Sequence, residues 1–228
     1  MWVEPRNREV DATITQSAQT GGTVPYRQVR AVYTPTTITV YQAYSDEIAH
    51  RALATGTFVP PFKRDRMTWI KPSFLWMMYR SGWATKPGQE QVLAIAMTRK
   101  GFEWALAHSS LSHFESSTYA SEQEWAKQKQ INPVRVQWDP ERSLTLASLN
   151  HRTIQVGLGA PVVQLYVERW ITTITDITGQ VHEIRRLVNT GNLDAARSLL
   201  PDEHAYPLSN EIREAIAATN TSECRLTD

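Results

Sequence analysis

Residues 29–56, VRAVYTPTTITVYQAYSDEIAHRALATG, join two β-rich runs to a short stretch of helical period. Val29 to Tyr33 and Ile38 to Tyr41 are β-branched and aromatic, and Thr34-Pro35-Thr36-Thr37 between them suits a short turn, so a hairpin is the simplest expectation. Ser45 then offers an N-cap, Asp46 and Glu47 suit a first turn, Ile48, Ala49, Ala52 and Leu53 make one face, and Gly56 supplies a stop. Strand and helix signals this close together point to a mixed fold.

Working outward, Val59-Pro60-Pro61-Phe62 cannot continue the helix, and residues 63–71 read as a loop leading into a strand. Pro72 at a first helical position opens an apolar helix that runs through Arg80 and stops at Ser81-Gly82. Val92 to Met97 is an unbroken apolar run suited to a central strand. Gly101 to Ala107 is a short helix, Ser121-Glu-Gln-Glu124 is a capping box, Val134, Val136 and Trp138 alternate like a half-buried strand, and Arg152 to Val156 is a further strand. After Gly159 the spacing of Val163, Val167, Trp170, Ile171 and Ile174 is helical, and helical spacing continues to Ile216. The expected architecture is therefore α+β: a mixed β-sheet over 25–158, closed by a helical C-terminal layer over 160–218. Residues 1–24 and 219–228 are expected to be flexible ends of this one domain.

The chain has 228 residues, and its 24 Lys plus Arg against 23 Asp plus Glu exclude any global electrostatic case for nucleic acid or membrane. No apolar run reaches the length of a spanning helix and the first residues lack a signal-peptide core, so a cytoplasmic protein without membrane partners is expected. The single cysteine, Cys224, excludes a disulfide framework and a cysteine zinc site.

The local charge is more telling. Between Lys63 and Lys86 there are six basic residues, Lys63, Arg64, Arg66, Lys71, Arg80 and Lys86, against one acidic residue, Asp65, interleaved with Trp69, Trp76, Tyr79 and Trp83. Cations neutralise phosphates and rings stack on bases. The phosphate- or nucleotide-binding candidates are thus Arg30, Arg64, Arg66, Lys71, Tyr79, Arg80 and Trp83, although a solvated loop beside an aromatic core helix has the same composition. Lys63-Arg64-Asp65 matches the Lys-any-Asp start of covalent nucleotidyltransferases, in which lysine attacks an α-phosphate, but the usual glycine is missing. An exposed or phosphate-contacting lysine is the plainer reading.

Among acids, Glu90, Asp139 and Glu141 stand out, because Trp138-Asp139-Pro140-Glu141 ends a strand where a carboxylate serves as base or ribose ligand; a turn with a local ion pair has the same sequence. Gln155 suits a hydrogen bond to ribose or amide, or to neighbouring backbone. His108, His113 and His151 lack metal-site spacing, so no metal is expected. Neither Ser81-Gly82-Trp83 nor Gly157-Leu158-Gly159 completes a catalytic or dinucleotide motif.

The runs VRAVYTPTTITVYQAYSDEIAHRAL, VPPFKRDRMTWIKPSFLWMMYRSGWATKPGQEQVLAI and VRVQWDPERSL…HRTIQVGL resemble the family known as domain of unknown function forty-two ninety-one, over about residues 25 to 205. That resemblance implies no catalytic residues. A more distant one links the strand ending in Tyr41-Gln42, the short helix and Gly56 to the opening of ADP-ribosyltransferase-like domains, with Gln42 where a histidine is expected and Gln155 where an acid is common. It implies NAD-dependent transfer with Tyr41, Gln42 and Gln155 near the reacting ribose. The functional expectation is a nucleotide-handling enzyme acting on NAD or RNA phosphate and ribose groups, with Tyr41, Gln42, Lys63, Glu141 and Gln155 as catalytic candidates and NAD or ATP as possible cofactor. The alternatives are a covalent nucleotidyltransferase or RNA ligase using Lys63, and a non-catalytic RNA-binding module.

Overall fold

A computed structural model describes residues 24–219; Cys224 and most of the two terminal extensions lie outside the described residues. The order of elements is β1 (Arg30–Ala31), β2 (Thr37–Tyr44), α1 (Asp46–Thr55), β3 (Thr68–Ile70), α2 (Phe74–Ser81), β4 (Gln91–Thr98), α3 (Arg99–Ala107), β5 (Ser109–Leu111), α4 (Glu122–Ile131), β6 (Val134–Arg142), β7 (Ser148–Leu158), α5 (Ala160–Leu165), a π-helical turn (Tyr166–Trp170), β8 (Ile171–Asp176), α6 (Thr178–Asn189), α7 (Leu193–Ser198), β9 (His204–Ala205) and α8 (Asn210–Ala215). The fold is α+β.

Three sheets form. β4 lies between β2 and β8, antiparallel to both. The apolar run 92–97 takes this centre because both its edges are paired and most of its side chains are buried. The second sheet has the order β3-β7-β6-β5, antiparallel except for the parallel pair β5 and β6. β1 pairs with β9.

Two expectations are corrected. The 29–41 hairpin is reduced to a turn, with Thr34 N–H donating to Thr37 O and one bridge between Tyr33 and Ile38, while β1 pairs with β9 and β2 pairs along its length with β4. Eight residues of pairing against an apolar strand outweigh a short local ladder. Ile171 and Ile174 do not continue a helix either; they lie in β8. Residues 171–175, Ile-Thr-Thr-Ile-Thr, are all β-branched, a composition that loses rotamer freedom in a helix and packs well on a sheet. Their spacing imitates a helical face only because the preceding turn really is helical.

The helix signals are borne out locally. Gly56 and Gly82 end α1 and α2 at positive φ, 69° and 63°. Ser121 Oγ accepts the Glu124 N–H at 3.1 Å. Pro72 stands just outside α2, which Ser73 caps by accepting the Trp76 N–H at 3.1 Å.

One core cluster gathers Ile38, Val40, Ile95, Met97, Phe102, Val136, Ile154 and Val156 between the two larger sheets and α3. A second holds Tyr41, Phe74, Met77, Met78, Trp83, Val181 and Ile184, and so seats α2 and α6 together. Packing of α2 against β6 brings the N-terminal end of α2 over the polar face of the second sheet. Among the described residues no helix is long and apolar enough to cross a membrane.

Candidate functional site

Successive residues on a strand face opposite ways, so while Val134, Val136 and Trp138 enter the core, Gln137, Asp139 and Glu141 share the other face of β6. Register places Gln155 opposite Gln137 and Thr153 opposite Asp139. The Asp139 carboxylate accepts from Gln137 Nε2 at 2.9 Å and Gln155 Nε2 at 2.6 Å. An ionised carboxylate only accepts, so it fixes both amides with their nitrogens inward.

Two residues further along the same face, Glu141 Oε1 accepts from Ser73 Oγ at 2.9 Å and from the Arg142 N–H at 2.8 Å. Glu203, on the segment between α7 and β9, accepts the Phe74 N–H through Oε1 at 2.7 Å. Two carboxylates from distant parts of the chain thus meet the first turn of α2, where free backbone N–H groups and the helix dipole receive acceptors.

Both carboxyls titrate high. Burial pushes Glu203 up to about 8; the Phe74 N–H opposes this, the Glu141 charge adds to it and Arg30 opposes it. Glu141 is also raised by burial, but the Arg142 N–H and the Ser73 and Thr153 hydroxyls hold it back. The two groups line a cavity of about 270 Å³ with Arg30, Ser73, Phe74, Arg142, His151 and the segment Leu200–Asp202. Arg30 donates to the Glu203 carbonyl at 2.7 Å, and the Arg142 guanidinium lies 3.6 Å from the centre of the exposed Tyr79 ring. His151 is lowered by burial and then by Arg30, which favours the neutral imidazole.

Lys71, on the segment between β3 and α2, is 7% exposed. Its Nζ donates to Trp69 O at 3.3 Å and lies 5.3 Å from the centre of the Trp76 ring. Burial, and next the charge of Arg80, bring it down to about 7, against an opposing pull from Asp139.

The structure therefore brings Arg30 and Glu141 into the cavity wall, places Tyr79 and Arg80 at the C-terminal end of α2 and Lys71 on the segment between β3 and α2, and uses Gln155 to hold Asp139. Other expected site residues lie elsewhere. Tyr41 and Gln42 do not face a cleft: Tyr41 is buried edge-on against Phe74, and Gln42 donates to Thr68 Oγ1 and Trp69 O and accepts from Tyr166 Oη. Tyr41 is raised well above its ordinary value, by burial and then by Glu203. Trp83 is interior, packed edge-on to Phe74. Arg64 pairs with Glu168 at 3.0 Å and donates to Phe58 O, tying its loop to the π-helical turn. Lys63 and Arg66 are exposed on that same loop.

Sequence reasoning passed over Glu203, Ser73 and Arg142, and read in His151 only the lack of metal-site spacing. Glu203 carries no periodic or motif signal, since it lies between two short elements, whereas Ser73 was legible as a cap ahead of an apolar run. Among the described residues, no three His, Cys, Asp or Glu side chains gather as a metal-binding set.

Among curated proteins none matches this chain. The cavity-lining residues run from Arg30 to Glu203, and all of them fall within the 28–206 segment matched by one family, so the chain belongs to the family described as Domain of unknown function (DUF4291).

Proposed function

We propose that the protein is a nucleotide-handling enzyme that performs acid–base group transfer at the ribose or phosphate of a nucleotide such as NAD, or at an RNA end. The observation that carries this reading is the convergence of Glu141 and Glu203 on one cavity walled by Arg30, Arg142 and His151. Paired carboxyls whose surroundings separate their proton affinities divide into an acid and a base. Glu203, which keeps its proton up to about pH 8, is the donor to a leaving group. Glu141, with three donors favouring its ionised form, is the acceptor.

The Arg30 and Arg142 guanidiniums place two cations in the wall, which suits an anion. A volume of about 270 Å³ is at the low end of ligand pockets, roughly 300 Å³ and upward, so one phosphoribosyl or mononucleotide unit fills it. The exposed Tyr79 ring, with Arg142 on it at 3.6 Å and Lys86 Nζ at 5.8 Å, is a platform for a base extending beyond. That same platform favours the second reading, a non-catalytic RNA-binding module.

The test is incubation with NAD, ATP and short RNA separately, following nicotinamide release, product formation and binding by calorimetry. Turnover of one of them that is lost in Glu203→Gln while binding stays within about threefold supports the enzyme reading. Binding of RNA without turnover of any of the three favours the module. Absence of binding to all three overturns both.

A further inference from the structure

Two arginines stand in the cavity wall, and their guanidiniums are engaged differently. Both terminal nitrogens of Arg30 have partners, Nη2 the Glu203 carbonyl at 2.7 Å and Nη1 the Gln28 Oε1 at 3.2 Å. Arg142 is held at one end and on one face. Its Nη1 donates to Ser148 Oγ at 2.8 Å and, at 3.5 Å, to Leu146 O, while the centre of its guanidinium lies 3.6 Å from the centre of the Tyr79 ring. Its backbone N–H donates to Glu141 Oε1 at 2.8 Å, which fixes the strand end that carries it.

What remains of this guanidinium is the edge formed by Nε and Nη2. Both side-chain bonds of Arg142 leave from Nη1, and among the described residues neither atom of the other edge has an acceptor. Nε is buried in that state, whereas Nη2 is not buried. A buried donor without a partner is uncommon in a folded protein and is met by an acceptor from outside the chain, a water or a ligand. Nε–H and one Nη2–H point the same way in one plane, the geometry that takes two oxygens of a single phosphate or carboxylate at once.

The geometry points to a phosphate subsite, which rests on the nucleotide reading and narrows its ligand: the Nε–Nη2 edge of Arg142 takes two oxygens of the terminal phosphomonoester of a nucleotide. A terminal group is favoured over an internal diester by how the cavity is closed. Glu203 accepts the Phe74 N–H at 2.7 Å and its carbonyl accepts from Arg30, so the segment 200–203 is tied down over about 270 Å³. A strand running through would have to displace that segment, whereas a strand end enters from one side. Neither carboxyl opposes the phosphate strongly. Glu203, raised by burial to about 8, is uncharged at pH 7, and the charge of Glu141 is met by Ser73 Oγ and the Arg142 N–H.

The experiment titrates the full chain at pH 7 with AMP, adenosine and inorganic phosphate by calorimetry, and repeats the set on Arg142→Lys and Ser148→Ala. Arg142→Lys keeps a positive charge but loses the fork. Ser148→Ala removes the Nη1 anchor at an exposed strand end, so its folding is not at risk. The expected result is AMP bound at least about tenfold more tightly than adenosine, with that ratio falling at least about fivefold in Arg142→Lys and about twofold in Ser148→Ala. Equal binding of AMP and adenosine by the wild type overturns the subsite and leaves the nucleotide reading standing. A ratio unchanged in Arg142→Lys, or in Ser148→Ala should the first variant not fold, overturns it as well, and Arg142 then only covers Tyr79. Phosphate binding that weakens in Arg142→Lys, with neither AMP nor adenosine bound, supports the Arg142 subsite and overturns the nucleotide as its ligand. Binding of none of the three overturns both.

Discussion

The carboxylate of Glu203 accepts the backbone N–H of Phe74 at 2.7 Å across 129 residues of sequence. This bond closes the cavity, because it ties the segment between α7 and β9 to the first turn of α2 and sets Glu203 beside Glu141. The adjacent pairing of β9 with β1 holds the same segment from its other side.

Glu203 makes stability depend on pH. Its folded value, about 8, is above the ordinary 4.5, so the stabilisation is complete below about 4.5 and is lost as pH rises through 8. Glu203→Gln keeps an acceptor for the Phe74 N–H but does not ionise. Between pH 5 and 8 the wild-type protein should lose on the order of 1–3 kcal/mol more than the variant in urea titrations. Parallel pH profiles would show that Glu203 is ionised and solvated.

Lys71 acts with the opposite sign. Its folded value, about 7, is below the ordinary 10.5, so a penalty accumulates as pH falls from 10.5 to 7 and is constant below that. Lys71→Met should therefore raise stability by about 1–3 kcal/mol at pH 6, with the gain shrinking towards pH 10. A melting series over pH 6 to 10 checks this, and a variant less stable at every pH contradicts it.

Gly101 and Gly179 form a matched pair of substitutions. A Cβ on Gly101 would meet Trp170 Cγ at 2.4 Å, so the indole must move, whereas a Cβ on Gly179 meets nothing within 4 Å. Gly101→Ala should cost about 1–3 kcal/mol despite the better helix propensity of alanine. Gly179→Ala, in the first turn of α6, should be neutral or stabilising by up to about 1 kcal/mol. Unfolding free energies of the two variants from denaturant titration should move in opposite directions or differ by at least about 1 kcal/mol.

Gln42 separates an architectural from a catalytic role. Gln42→Leu removes the acceptor of the buried Tyr166 hydroxyl at 3.0 Å and two donated bonds, and should cost about 2–3 kcal/mol. Ligand affinity of the folded fraction, read by calorimetry below the melting temperature, should be unchanged. A stable Gln42→Leu protein that no longer binds or turns over ligand would restore Gln42 to the site.

Much of the fold was legible because its signals are local. Glycines 56 and 82 stop helices through their backbone freedom, and 92–97 becomes a central strand because an unbroken apolar run needs cover on both faces. Residues 167–174 misled for a local reason as well: a period that fits one helical turn runs into five β-branched residues, and composition prevails over spacing. The candidate site was legible in part. Glu141 and Lys71 stood out at strand ends and in a basic segment, whereas Tyr41 and Gln42 drew attention by a pattern that turned out to serve the core.

The sequence by itself determined the α+β class, most helix ends and the alternation that puts Gln137, Asp139 and Glu141 on one face, since each follows from backbone preferences and burial within a few residues. Tertiary structure alone decided which acids meet. Glu203 reaches Glu141 only because β9 pairs with β1 and α2 packs on β6, and the raised proton affinity of both carboxyls comes from the desolvation that this packing creates. Burial is a property of the assembled chain, so neither the cavity nor the altered titration of Lys71 is written in any one segment.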